Sequence, residues 1–201
     1  YMDVSYPFAH VDRASAVACV MTGTVPYDNG IVGERWMDRK TLRPVYCVDD
    51  VACQGWLTSE KYSPVSLNVS TITDELKMAT GGRALVYSVA PEADAAILGA
   101  GHAADGAFWI DDASGQWCST SYYGEYPDWA LGYDAASRLA NRISDLSWTP
   151  VNSVVENFNY FISPEDSKGF HHGFSGDGKF RDFKTSACVN AEVNRFVRHC
   201  L

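Results

Sequence analysis

The sequence lacks any apolar run near the ~20 residues needed to cross a bilayer, so no membrane-spanning segment is expected. Basic residues are few: 16 Lys and Arg stand against 25 Asp and Glu, for a net charge of −9. No cluster of Lys or Arg offsets that field, and a negative body repels a phosphate backbone, so nucleic acid is not an expected partner. Repeats, low-complexity tracts and Pro-rich linkers are absent. No basic n-region leads into an apolar core. The chain opens at Tyr1 rather than Met, which reads as a mature or trimmed form. Cysteine is present as Cys19, Cys47, Cys53, Cys118, Cys188 and Cys200, without a CxxC pair or a His-spaced zinc pattern. An even count allows disulfides in an oxidising compartment, and buried free thiols are the alternative. Cys47 and Cys53 flank a short polar turn and form the best candidate pair. Cys188 and Cys200 on one helix would lie ~18 Å apart along its axis and could not pair.

What is present is a globular composition, 46% apolar and 20% charged, with enough length for one α/β domain or part of a larger one. Six Trp and eleven Tyr, most of them expected in the core, favour compact packing. Ala14, Val17, Ala18 and Met21 mark the buried face of a helix over Asp12–Met21, with Asp12 as N-cap and Gly23 past its end. Val25 to Gly30 is turn chemistry, and short strands are expected at Arg35–Met37 and Val45–Val48. Thr71 with Asp74 resembles a capping box for a helix over Ile72–Thr80, stopped by Gly81 and Gly82. Ala84–Val89 reads as a buried strand. Ala107–Ile110 and Gln116–Thr120 flank a hairpin turn. Pro127 to Ile143 is expected to be helical, broken at Gly132. Ser163–Lys179 reads as a long surface loop. A final amphipathic helix carries Val189, Val193, Phe196, Val197 and Cys200 on one stripe.

One stretch runs Thr22-Gly23-Thr24-Val25-Pro26-Tyr27-Asp28-Asn29-Gly30-Ile31-Val32-Gly33-Glu34-Arg35-Trp36-Met37-Asp38-Arg39. A second is Ser63-Pro64-Val65-Ser66-Leu67. A third is Ala96-Ile97-Leu98-Gly99-Ala100-Gly101-His102-Ala103-Ala104. With Pro127-Asp128-Trp129 they form an ordered series that resembles the alkaline phosphatase superfamily, in its Thr-nucleophile and type I phosphodiesterase-like branch. The resemblance implies an α/β fold: part of a sheet with helices on both faces, plus an inserted cap with a β-hairpin. Residues 1–201 would form one such module, with about 40–150 as the cap. It also implies hydrolysis of phosphate esters by two zinc ions, with Asn, Lys and Arg side chains stabilising the transferring phosphoryl group.

Carried over residue by residue, that site is replaced. The nucleophile position holds Arg13, whose guanidinium has no lone pair for attack on phosphorus. The run that follows is Ala14-Ser15-Ala16-Val17 and lacks the family's Gly and His. Ser15 is the fallback nucleophile, but two residues are about 200° around a helix, so it reads as a helix-surface Ser facing away. The Asn position holds Glu34, and the Lys and Arg positions hold Glu92 and Asp94. Three donors have become three anions, expected to face one cleft where Arg13 pairs with a carboxylate. No metal site and no cofactor are expected in this chain. His171 and His172 diverge, His102 matches a structural His of a Gly-Gly-His turn, and His199 suits a helix C-terminus. The reading is a degenerate, non-catalytic relative that binds an unknown protein or small-molecule ligand, periplasmic or secreted. Two alternatives stay open: a zinc-dependent phosphomonoesterase or phosphodiesterase with an atypical site, and a purely structural or interaction module.

Overall fold

A computed structural model describes residues 5–151 and 171–200. Two compact units divide the chain: Tyr1–Ile110 with Trp117–Asp128, and Asp111–Gln116 with Trp129–Leu201.

The first unit is mixed α/β. Helix α1, Arg13–Thr22, starts at Asp12 and ends at Gly23, whose φ of 69° is a left-handed cap. One face of α1 carries Ala14 and Ala18, both fully buried. The Val25–Gly30 turn contains one helical turn, α2 (Pro26–Asn29), with Pro at its start. Strands β1 (Arg35–Met37) and β2 (Pro44–Tyr46) pair antiparallel. Helix α3, Ile72–Ala79, has the expected capping box, in which Asp74 returns the bond that Thr71 makes. Helix α4, Ala93–Ala100, is apolar on most sides, with Ala96, Ile97, Leu98 and Ala100 fully buried.

The central sheet has four strands in the order β3-β6-β5-β4, formed by Gly55–Trp56, Trp117–Thr120, Gly106–Ile110 and Tyr87–Val89. The expected hairpin, β5 with β6, is its antiparallel centre. Both strands are buried along their whole length. The expected strand over Ala84–Val89 shrinks to β4, a parallel edge strand, and Leu85 before it is 76% exposed. An apolar run alone did not distinguish an edge from a centre. Small residues let the layers approach: Ala14 and Ala18 of α1 share a core with Ala93 and Ala96 of α4, below Ala107 and Trp109 of β5.

The second unit is built on aromatics. Helix α5, Asp128–Ser137, runs through Gly132 without a break and is followed by 3-10 turns at Leu139–Asn141 and Ile143–Asp145. A single Gly costs only about 1 kcal/mol in a helix interior, and packing on either side outweighs it. Ser147–Trp148 (β7) pairs with His172–Gly173 (β8), and a short helix α6 spans Lys179–Lys184. The surface loop expected over 163–179 lies in part outside the described residues, and its described end holds β8. The last helix, α7, is Val189–Cys200, and its Phe196 packs on Trp129 and Tyr133 at 5.4 and 5.1 Å between ring centroids. Sequence patterning missed Glu192 on the buried side of α7. It accepts from the Tyr133 hydroxyl at 2.7 Å and from Arg142 Nη2 at 2.8 Å.

All six cysteines are free. The expected Cys47–Cys53 pair is not made: Cys47 is in the core, and the Cys53 thiol donates to Asp50 at 3.3 Å. Trp109 and Trp117 are fully buried, whereas Trp36, Trp56, Trp129 and Trp148 keep partial exposure, so most of the tryptophans are not in the core. Among the described residues no helix is long and apolar enough to cross a membrane.

Candidate functional site

The site lies in the first unit, where the start of α1, the segment before β1 and the start of α4 converge. Asp12 organises it. One carboxylate oxygen caps α1 by accepting from the Ser15 amide at 2.9 Å, and the other accepts from the Glu34 amide. The cap therefore also fixes the chain entering β1. Burial opposes the Asp12 charge, but the hydrogen bonds from Ser15 and Glu34 outweigh it and hold its pKa below the usual carboxylate value. Gly33 leaves room for this: a Cβ there would stand 3.1 Å from Asp12 Oδ2.

Arg13 is the first residue of α1 and reaches across to α4. Its Nε donates to both oxygens of Asp94, at 2.9 and 3.1 Å, and its Nη2 lies 3.4 Å from Glu34 Oε2. Asp94 is fully buried, while Arg13 and Glu34 are 41% and 40% exposed at the side chain. Asp94 sits in the first turn of α4, where the helix dipole favours an anion. Glu92 is the N-cap of α4. Partial burial lowers the Arg13 pKa, but the Asp94 bond and the charges of Asp94, Glu92 and Glu34 outweigh that and raise it. The four residues named at the replaced positions are thus brought together, and Arg13 pairs with a carboxylate as expected. The field extends inward: burial first, and then the Asp94 charge, raise the pKa of the Tyr46 phenol and of the Cys47 thiol.

Ser15 is not at the helix surface. It is fully buried, and its hydroxyl accepts from the Asp12 amide at 3.0 Å and lies 3.3 Å from the Asp12 carbonyl. A Ser at the third helical position closes the capping box, and that demand turned it inward. Both hydrogen-bonding roles of its oxygen are spent on the cap.

A second polar centre, in the same unit, surrounds Asp74. It accepts from the amides of Thr71, His102 and Ala103 at 2.8, 2.8 and 2.7 Å, and the His102 ring lies beside it. His102 is structural in this sense, as its turn implied. Elsewhere, His171 and His172 are exposed, and the His199 ring lies 5.5 Å from that of Tyr133. No group of three or more His, Cys, Asp or Glu able to hold a metal ion occurs among the described residues.

Known proteins share this architecture. Alkaline phosphatase PhoV of Synechococcus elongatus is 37% identical over 85% of this chain and 31% of its own length. The crystal structure of wild-type alkaline phosphatase PafA superposes with a TM-score of 0.73 at 25% identity, covering 93% of this chain and 39% of that one. A PafA variant with a Thr, an Asn, a Lys and an Arg replaced superposes with a TM-score of 0.67 at 28% identity, over 87% of this chain and 35% of that one. In that variant the Thr and Asn stand 21 residues apart and the Lys and Arg two apart, the separations of Arg13 from Glu34 and of Glu92 from Asp94 here. The chain spans less than two-fifths of the length of these relatives. Residues 5–182 match the type I phosphodiesterase / nucleotide pyrophosphatase family, and the chain belongs to it, with an alkaline phosphatase-like fold.

Proposed function

We propose that this chain is a degenerate member of its family, which does not hydrolyse phosphate esters and instead binds a protein or small-molecule partner. The observation that carries this reading is the Arg13–Asp94 pair. At the position where the family resemblance puts a nucleophile stands a side chain that cannot attack phosphorus. Its partner is a buried carboxylate where a phosphate-binding cation is expected, and Glu34 adds a second anion. A phosphate dianion entering this cleft would meet Glu34, Glu92 and Asp94 with one guanidinium already committed. Losing a single electrostatic donor typically lowers a rate by about a hundredfold or more, and here a neutral donor and two cations are all exchanged for carboxylates.

Zinc does not fit the residues in place. A guanidinium offers no metal-binding lone pair, and the carboxylate nearest to it is occupied by it. No step through a metal is therefore assigned to these residues. A periplasmic or secreted location is part of the proposal and is checked by fractionation of the native host.

The test is turnover of aryl phosphate monoesters and diesters by the purified chain, with and without added zinc. The expected rate is that of buffer alone, and Arg13→Thr alone leaves it there, because the acidic neighbours still oppose the substrate. A second reading, a zinc-dependent phosphatase with an atypical site, draws on the 37% identity to PhoV. Zinc-dependent turnover lost on Ser15→Ala would establish it and overturn the first.

A further inference from the structure

His102 follows Gly101, whose φ of 74° makes the sharp exit from α4. The ring lies between two acceptors: Nδ1 is 3.2 Å from Asp74 Oδ2, and Nε2 is 3.1 Å from the Leu67 carbonyl. A carbonyl only accepts, so Nε2 must carry a proton to bond Leu67. Asp74 also only accepts while ionised. Burial resists that ionisation, but hydrogen bonds from Thr71, Ala103 and His102 outweigh it and keep the Asp74 pKa low. Nδ1 must therefore carry a proton as well. A neutral imidazole has one N–H and an imidazolium has two. Only the protonated ring makes both bonds, and loss of either proton gives up one of them.

The groups around the ring do not compensate. Asp74 faces it from α3. From the turn at Ser121–Tyr123, Tyr122 and Tyr123 carry phenols whose pKa burial raises, so they stay neutral, and Tyr123 donates to the Gly101 carbonyl at 2.7 Å. The ring is 36% exposed, so solvent protons reach it.

Leu67 is buried in the core, and the next amide, Asn68, donates to the Asn29 carbonyl at 2.9 Å. Asn29 Oδ1 in turn accepts from the Ile31 amide at 2.9 Å. The loop through Ile31 leads to Glu34, beside Arg13. We propose that His102 is a proton-operated latch. Its protonated ring ties the Leu67 segment to α3 and steadies the 29–34 loop that carries Glu34, and deprotonation releases one tie. The coupling runs through hydrogen-bonded neighbours, and its evidence has to be a linked response.

The experiment is NMR on the 201-residue chain. The His102 ring nitrogens are followed through their own titration, and amide exchange at Asn68 is corrected for its intrinsic pH dependence. Protection at Asn68 is expected to fall about fivefold as the ring loses its proton, the weight of one hydrogen bond. In His102→Gln, which keeps one donor and does not titrate, that pH dependence is expected to vanish. Protection at Asn68 that stays constant across the His102 titration would overturn the latch, and so would an equal pH dependence in His102→Gln. If that variant does not fold, the wild-type titration alone decides.

Discussion

Replacing Arg13 by Ala tests the ion pair at the centre of the cleft. The Asp94 carboxylate is fully buried and is held by Arg13 Nε at 2.9 and 3.1 Å and by the Ala95 amide at 2.7 Å. Without Arg13 the carboxylate keeps the amide and loses its counter-charge. Removing one member of a fully buried pair costs about 3–5 kcal/mol. Arg13 is 41% exposed, so water recovers part of that, and the expected loss is about 2–3 kcal/mol. For a chain of this size that corresponds to a fall of roughly 5–10 °C in Tm. Asp94→Asn keeps the shape and removes the charge, so it should cost less. Glu34→Gln should cost under about 0.5 kcal/mol, because that contact is long and solvent-exposed. The assay is a double-mutant cycle of Arg13→Ala and Asp94→Ala by calorimetry, reading the transition of the first unit. A coupling of about 2 kcal/mol is expected, so that the double variant loses less than the sum of the singles. Coupling near zero, or an Arg13→Ala protein as stable as the parent, would refute the claim that this pair ties α1 to α4.

Other consequences follow from the same geometry. The pKa values of Asp12 and Asp74 are lower in the folded chain than their ordinary value of 3.8. Between the folded and unfolded values the unfolded chain binds more protons, so stability should rise with pH through that window. It should be fully present above about pH 5 and lost as pH falls below 3.8, as urea titrations at stepped pH would show. Glu192→Ala should destabilise the second unit by roughly 2–4 kcal/mol in chemical denaturation, since it takes the counter-charge from Arg142, which keeps only the Ser137 carbonyl, and the acceptor from the Tyr133 hydroxyl. Gly101→Ala should unfold the turn around Asp74, because the left-handed φ is strained for Ala and its Cβ would overlap Thr71 Oγ1; loss of the His102 amide's exchange protection is the readout.

Helix ends were the most legible part of the fold. Asp12, Thr71 and Asp74 are local signals, since a cap is made by residues three apart, and each was found where the spacing put it. Patterns that depend on distant partners were less legible. Ala84–Val89 is as apolar as a central strand, yet its position in the sheet is decided by which strands come to pair with it. Gly132 looks like a helix break, but packing of Tyr133 against Phe196 rewards a continuous helix more than one Gly opposes it. Glu192 could not be placed, because its burial is meaningful only with Tyr133 and Arg142, some fifty residues or more away in sequence.

In the candidate site, the residue identities and a pairing of Arg13 with a carboxylate were legible, and which carboxylate it takes was not. The family resemblance singled out Arg13, Glu34, Glu92 and Asp94 and put them at one cleft. Their joint meaning comes from the approach of α1 to α4, which rests on alanines rather than on any charged motif. Asp12 shows the same limit. As a cap it was visible, but its second oxygen holds the Glu34 amide, 22 residues on, and no local pattern encodes that. Carboxylates at 34, 92 and 94, without Arg13, would leave a buried Asp94 with no counter-ion. Arg13, without Asp94, would be an exposed cation in an anion site. Each replacement is tolerable mainly because the other is present. On the proposed degenerate reading, the missing nucleophile and the missing phosphate donors are therefore one structural change, and a Thr at position 13 is expected to remove a support from the fold without returning a reaction.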